Sequence, residues 1–147
     1  MLTVLVFLSV LDVKLEITNL DIDDAEKATG IHAIFTAEDL EKHGVKNNLI
    51  GVTVKNRDGS NGASPKRPLL AKNRVRFVGE PIALVVADSI QNAKDAAELV
   101  EIDYDDLPVS VELEIGENTI HPEAPGNVAF EWNLGNESKT NTAFERA

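Results

Sequence analysis

The sequence contains no cysteine, and that absence removes disulfide staples, thiolate metal ligands, iron–sulfur ligation and a cysteine nucleophile together. Histidine is scarce, at positions 32, 43 and 121 only. His32 sits in an apolar, strand-like stretch, where a satisfied core or edge side chain is the better reading. His43 lies in a polar loop, and His121 precedes Pro122 with no second ligand at a recurrent metal spacing. Neither a phosphate loop nor a dinucleotide fingerprint occurs. Apolar runs are short as well. Residues 1–11 (MLTVLVFLSVL) have no basic residue before them and no small-residue cleavage site. They fall far below the ~20 apolar residues of a membrane helix, so they read as a buried strand. Positive charge is in deficit too: the net charge of -11 argues against a nucleic-acid partner, which would need cations to displace the counterions of phosphate. The expectation is a cytoplasmic protein with no nucleic acid, no membrane and no complete active site.

At 147 residues, 43% apolar and 27% charged, the chain has the size and composition of one soluble globular domain spanning 1–147. Its charge is unevenly placed. Between Asp58 and Glu80 there is no acidic residue, and that gap holds Lys66, Arg67, Lys72, Arg74 and Arg76. From Glu80 to Glu131 the balance reverses, with Lys94 the one basic residue. A basic hairpin beside an acidic half suits either a docking surface or internal charge complementarity between neighbouring strands.

Local patterning predicts an α+β fold. Residues 15–19 continue as a strand, 21–28 (DIDDAEKA) as one or two helical turns with acids at the N-terminal end, and Gly30 as the stop before a strand over 31–35. Thr36 is an N-cap with Asp39 in a weak capping box. Residues 43–66 are a polar loop rich in Asn, Asp and Gly, with a short edge strand over 50–54. Strands over 75–78 and 82–87 (IALVVA) flank the turn Gly79-Glu80-Pro81; the second is apolar on both faces and therefore central. Ser89 caps a helix whose apolar positions 90, 93, 97 and 100 recur at helical spacing. Ile102 and Tyr104 alternate with Asp103 and Asp105 in a strand ended by Asp106, Leu107 and Pro108. Strand, strand, helix, strand thus appears twice. Alternation continues over 109–115 and 128–132, each read as a strand, and a polar tail helix over 137–147 closes the chain.

The acidic run Asp103, Asp105, Asp106 invites a hard cation, but the sixth position of an EF-hand loop starting at Asp103 would be Pro108 rather than Gly, so a solvated strand end is the better reading. Asn136-Glu137-Ser138 matches a glycosylation sequon by chance.

Four blocks, RPLLA (67–71), RVRFVGEPIALVVAD (74–88), AAELVEIDYDDLP (96–108) and HPEAPGNVA (121–129), with GIHAIFTAEDL (30–40), form one pattern. Together they resemble the α/β-hammerhead domain at the start of the large subunit of molybdenum hydroxylases, the family of carbon monoxide dehydrogenase, aldehyde oxidase and xanthine dehydrogenase. The resemblance implies a mixed sheet built from the two strand-strand-helix-strand units. It also implies an oxidoreductase that uses molybdopterin, iron–sulfur clusters and FAD, none of them bound by this chain. The partners implied are the molybdopterin-binding remainder of the large subunit, an FAD subunit and an iron–sulfur subunit. Substrate and oligomeric state, a homo-oligomer included, stay open. No catalytic, cofactor or metal residue carries over; what does is architectural, Gly79, Glu80 and Pro81 as the turn and Tyr104, Leu107 and Pro108 as the corner. The family's usual Arg-Ser-Pro-His-Ala-His-Ala segment is replaced here by Leu8-Ser9-Val10-Leu11-Asp12-Val13-Lys14, in which only the serine survives. The leading expectation is a non-catalytic structural and subunit-docking domain. The alternative is a free-standing interaction or small-ligand-binding module that has lost its enzyme.

Overall fold

The computed structural model describes residues 4–9, 14–49, 51–109, 115–116 and 119–146. Two compact units emerge, one of Met1–Ile50 with Lys66–Leu113 and the other of Gly51–Pro65 with Glu114–Ala147.

The first unit holds the strands β1 (Val4–Ser9), β2 (Leu15–Asp21), β3 (Ile31–Thr36), β4 (Arg74–Val75), β5 (Pro81–Ala87) and β6 (Glu101–Asp106). It also holds the helices α1 (Asp23–Glu26), α2 (Ala37–Lys42) and α3 (Ile90–Ala97). In place of one mixed sheet, the strands divide into two antiparallel three-stranded sheets, ordered β1-β5-β3 and β4-β2-β6. The division follows from the turn at 76–80, where the chain leaves one sheet and enters the other instead of folding back as a hairpin. The α+β class, the central place of β5 and the two strand-helix repeats are as the patterning predicts.

β5 is central because Ala83, Val85 and Ala87 on one face and Ile82 on the other have no exposed surface, while Leu84 and Val86 are half-buried. On it pack β1, β3 and α3, and the cluster of Ile34, Ala83, Val85, Ala93 and Ala96 fills the space between them. Alanines on α3 permit this close approach. Ser89 starts the helix as expected, its Oγ accepting from the Asn92 N–H at 3.1 Å. The loop before β3 needs Gly30, which has φ +76°, and a Cβ there would collide with the Asn92 side chain. Likewise Asp39 accepts from the Thr36 N–H at 2.9 Å and from its hydroxyl at 2.8 Å, completing the box that starts α2. Those bonds hold the Asp39 carboxyl below its ordinary pKa, the backbone donor first among the causes.

Several expectations are corrected. β1 is an edge strand, and Phe7 on it is 58% exposed, so the strand is half-buried rather than buried. The strand expected over 75–78 stops at Val75. Residues 51–54 form no strand, and the expected strand over 128–132 is extended chain without a ladder. Residues 10–13 of the altered segment 8–14, residue 50, and residues 110–114 of the strand expected over 109–115 lie outside the described residues.

The second unit holds a 3-10 turn at Pro125–Asn127 and the tail helix α4 (Glu137–Glu145), capped by Asn136, whose side chain accepts from the Lys139 N–H at 2.9 Å. Among the described residues no helix is long and apolar enough to cross a membrane.

Candidate docking surface

β4 and β6 both run antiparallel to β2, and both pair with its first residue: Leu15 lies opposite Val75 on one side and Asp106 on the other. The chain therefore leaves β4 into residues 76–80, and β6 into residues 107–108, at the same end of this sheet. Gly79, Glu80 and Pro81 are thereby brought to the end that carries Leu107 and Pro108, with Tyr104 two residues inside it, opposite Ile17. The floor beneath is the second core cluster, Leu15, Ala71, Val75 and Ile82.

Gly79, Glu80, Pro81 and Leu107 each hold the backbone locally. Gly79 adopts φ +86°, a left-handed conformation that a side chain would strain. Pro81 opens β5, and its carbonyl accepts from the Ala71 N–H at 2.7 Å. Leu107 donates its N–H to the Lys14 carbonyl at 3.1 Å. Lys14 is itself buried and left-handed at φ +52°, a strained conformation for a residue with a long side chain.

Glu80 is the most constrained of the set. Its side chain is buried, with 2% residue exposure. One carboxyl oxygen accepts from the Arg76 N–H at 2.6 Å, and the other lies 3.9 Å from the Arg76 guanidinium. Burial pushes its pKa above the ordinary value; the Arg76 N–H and the Arg76 charge oppose that rise without cancelling it. A buried carboxyl tied to a backbone N–H four residues back fixes the turn from inside. β4 stops where its partner does, since Val75 lies opposite Leu15, the first residue of β2. What the turn then presents is apolar: Phe77 and Val78, at 55% and 50% exposure, stand at its tip, and Val109 follows the corner at 43%.

Next to the turn, the basic run largely answers carboxylates of its own unit. Lys72 pairs with Glu41 at 2.7 Å, Arg74 with Glu16 at 3.5 Å and Arg76 with Glu80. Lys66 and Arg67 have no ion pair among the described residues. The segment 67–70 has no regular structure, yet it is clamped. Asn47 Oδ1 accepts from the N–H groups of Leu69 and Leu70, at 2.9 and 3.0 Å, while its amide donates to the Leu70 carbonyl. Asn48 Oδ1 accepts from the Arg67 N–H, and Leu49 N–H donates to the Arg67 carbonyl. Sequence reading took Asn47-Asn48 as turn chemistry; a contact across some twenty residues has no local signal.

The remaining polar candidates are satisfied locally. His32 pairs with Asp88 at 2.8 Å across β3 and the end of β5. His43 contacts the Asp39 carbonyl at the end of α2. Asp103, Asp105 and Asp106 lie on the exposed β6, and among the described residues no three His, Asp or Glu side chains converge as metal ligands.

Comparison with known proteins assigns this architecture. The family model described as aldehyde oxidase and xanthine dehydrogenase, a/b hammerhead domain, matches residues 4–108. The nicotine 6-hydroxylase large subunit of Paenarthrobacter nicotinovorans is 36% identical over 64% of this chain and 11% of that subunit. An aldehyde oxidoreductase of Megalodesulfovibrio gigas is 33% identical over 89% of this chain and 14% of its own length. In the solved Cu,Mo-CO dehydrogenase, one chain superposes with a TM-score of 0.72 at 25% identity, covering 99% of this chain and 19% of that one. This chain thus spans less than a fifth of each. It belongs to the aldehyde oxidase and xanthine dehydrogenase a/b hammerhead family.

Proposed function

We propose that this chain is a non-catalytic structural and docking domain of the large subunit of a molybdenum-dependent hydroxylase, working in the cytoplasm. The observation that carries the reading is the end of the β4-β2-β6 sheet. A turn locked by a buried carboxyl offers Phe77 and Val78 to solvent, and apolar side chains held on a rigid backbone are what a docking interface uses at its centre. The partners of this reading are the molybdopterin-binding remainder of the large subunit, an FAD subunit and an iron–sulfur subunit.

The redox groups belong to those partners. Without cysteine this chain offers no thiolate to an iron–sulfur cluster, and it has no glycine-rich loop for a dinucleotide. No chemical step is therefore assigned to its residues. Molybdopterin, FAD and the clusters would supply substrate oxidation and electron transfer in the assembled enzyme, with this domain holding polypeptides in register.

The test is capture from the native source. Tagged chain should retain molybdopterin-binding, flavin and iron–sulfur polypeptides. The double variant Phe77→Asp, Val78→Asp should lose them while its circular dichroism stays unchanged and its melting temperature falls little, because about half of each residue is already in water. Recovery of none of these polypeptides with the unaltered chain sinks the docking reading.

A further inference from the structure

The basic run has a consequence separate from docking. Lys66, Lys72, Arg74 and Arg76 line one groove of about 360 Å³, together with the amides Asn47 and Asn73, and no carboxylate lines it. The three carboxylates that pair with these cations, Glu41, Glu16 and Glu80, hold them from outside the groove. Such pairs fix side-chain positions without filling the space between them. Donor capacity is left over. An ammonium carries three N–H groups and a guanidinium five, and only some of these are used. Arg76 Nε is buried with no acceptor among the described residues, a donor whose desolvation none of them offsets. Lys66 is exposed and has no ion pair among the described residues. The segment that follows it is preorganised, because Asn47 and Asn48 pin residues 67–70.

We propose that this groove binds a phosphate group. Cations converging from two lysines and two arginines match an oxyanion of two charges and several acceptor oxygens better than a single carboxylate, and planar guanidinium forks favour it further. Neither a helix terminus nor a glycine loop is involved; the site is made of Arg74 on β4 and of Lys66, Lys72 and Arg76 in the chain on either side of it. The groove has room for more than the anion alone, so the phosphate is either free or the head of a small organic monoester.

Isotope-labelled chain titrated at constant ionic strength decides the matter, read through its backbone amide resonances. Inorganic phosphate should produce saturable shifts confined to residues 66–76 and the 47–48 clamp, in the millimolar range. Succinate, a dianion of different geometry, should bind more weakly, and potassium chloride should produce no saturable shift. Lys66→Glu should weaken phosphate binding by about tenfold or more, the effect of roughly 1.4 kcal/mol. Lys94→Glu, on α3 and not lining the groove, should bind as the parent does. Glycerol phosphate binding more tightly than inorganic phosphate identifies an organic monoester as the ligand; equal or weaker binding identifies the free ion. Absence of saturable shifts at Lys66, Arg74 and Arg76 overturns the proposal. So does succinate equal to phosphate, or full affinity in Lys66→Glu. None of these readouts depends on partner subunits, so they stand apart from the capture experiment.

Discussion

In the first unit Leu15, Val75, Ile82 and Val85 lie almost wholly out of water, whereas in the second the one buried apolar side chain among the described residues is Ala124. The second unit does not lack apolar residues. Phe130, Trp132, Leu134 and Phe144 belong to it and are 48% to 86% exposed. Its conformation is set by polar contacts instead. Asn56 accepts from the Glu131 N–H at 2.9 Å and donates to the Ser60 hydroxyl, and the Ala63 N–H donates to the Ala129 carbonyl at 2.6 Å. Apolar burial contributes roughly 25 cal/mol per Å², while an exposed hydrogen bond nets little once water competes. The two units should therefore answer mutation differently, and that difference is measurable.

The largest effect is expected at the centre of the first unit. Ile82 has no exposed surface, joins the floor beneath the 76–80 turn and lies on the central strand. Replacing it with alanine leaves a cavity, at a cost of about 2–5 kcal/mol. Urea unfolding followed by far-ultraviolet circular dichroism should show the midpoint falling with little change in slope. A cost below about 1 kcal/mol would mean that this core collapses around the vacancy, contrary to the tight packing inferred here.

The same contrast governs how much was readable in the sequence. Residues 82–87 announced a central strand because an apolar run with β-branched side chains has few other uses. Thr36 with Asp39 and Ser89 with Asn92 were legible because caps act over three residues. Where distant groups decide what the backbone pairs with, the sequence misled. Val75 to Val78 looks like a strand, but β2, the strand it would pair with, begins only at Leu15 opposite Val75. Residues 128–132 alternate as a strand should, but the neighbouring chain turns at Gly59 and meets them only at isolated bonds, Arg57 N–H to the Glu131 carbonyl and Ala63 N–H to the Ala129 carbonyl, while the Asn56 side chain takes the Glu131 N–H. Of the candidate surface, the motif residues were visible as a turn and a corner. Their meeting at one sheet end was not, since it depends on both β4 and β6 pairing with Leu15.

A subtler effect attaches to Glu80, where the first unit departs from its apolar rule. Its carboxyl has a pKa above the ordinary 4.5 because burial disfavours the charged form. The folded state therefore holds this proton more tightly than the unfolded chain does. Glu80 accordingly favours folding most below pH 4.5, and that contribution is lost as the pH rises from there through the raised folded-state pKa. Asp39, with its lowered pKa, contributes the opposite slope at acid pH, so the informative quantity is the difference between variant and parent. Glu80→Gln keeps an acceptor for the Arg76 N–H and cannot ionise. It should match the parent in acid and gain on it across the window, with melting temperatures against pH as the measurement. A variant that falls progressively behind the parent as the pH rises towards and past 4.5 would show that the Arg76 charge outweighs burial.

The smallest effect is expected from the largest side chain. Trp132 is the one tryptophan in the chain and is 61% exposed, so truncating it removes little that folding had withdrawn from water. Trp132→Ala should change stability by no more than about 0.5 kcal/mol, an order of magnitude below Ile82→Ala. The residue also reports on its own surroundings. Emission from the native chain should lie close to that of the urea-unfolded chain, and acrylamide should quench both about equally. Ile82→Ala should change native quenching little, because most of Trp132 is already in water. Blue-shifted, protected emission together with a cost above about 1 kcal/mol would mean that this face is covered in solution. The contrast between a unit held by burial and a unit held by polar contacts would then fail at its most exposed aromatic residue.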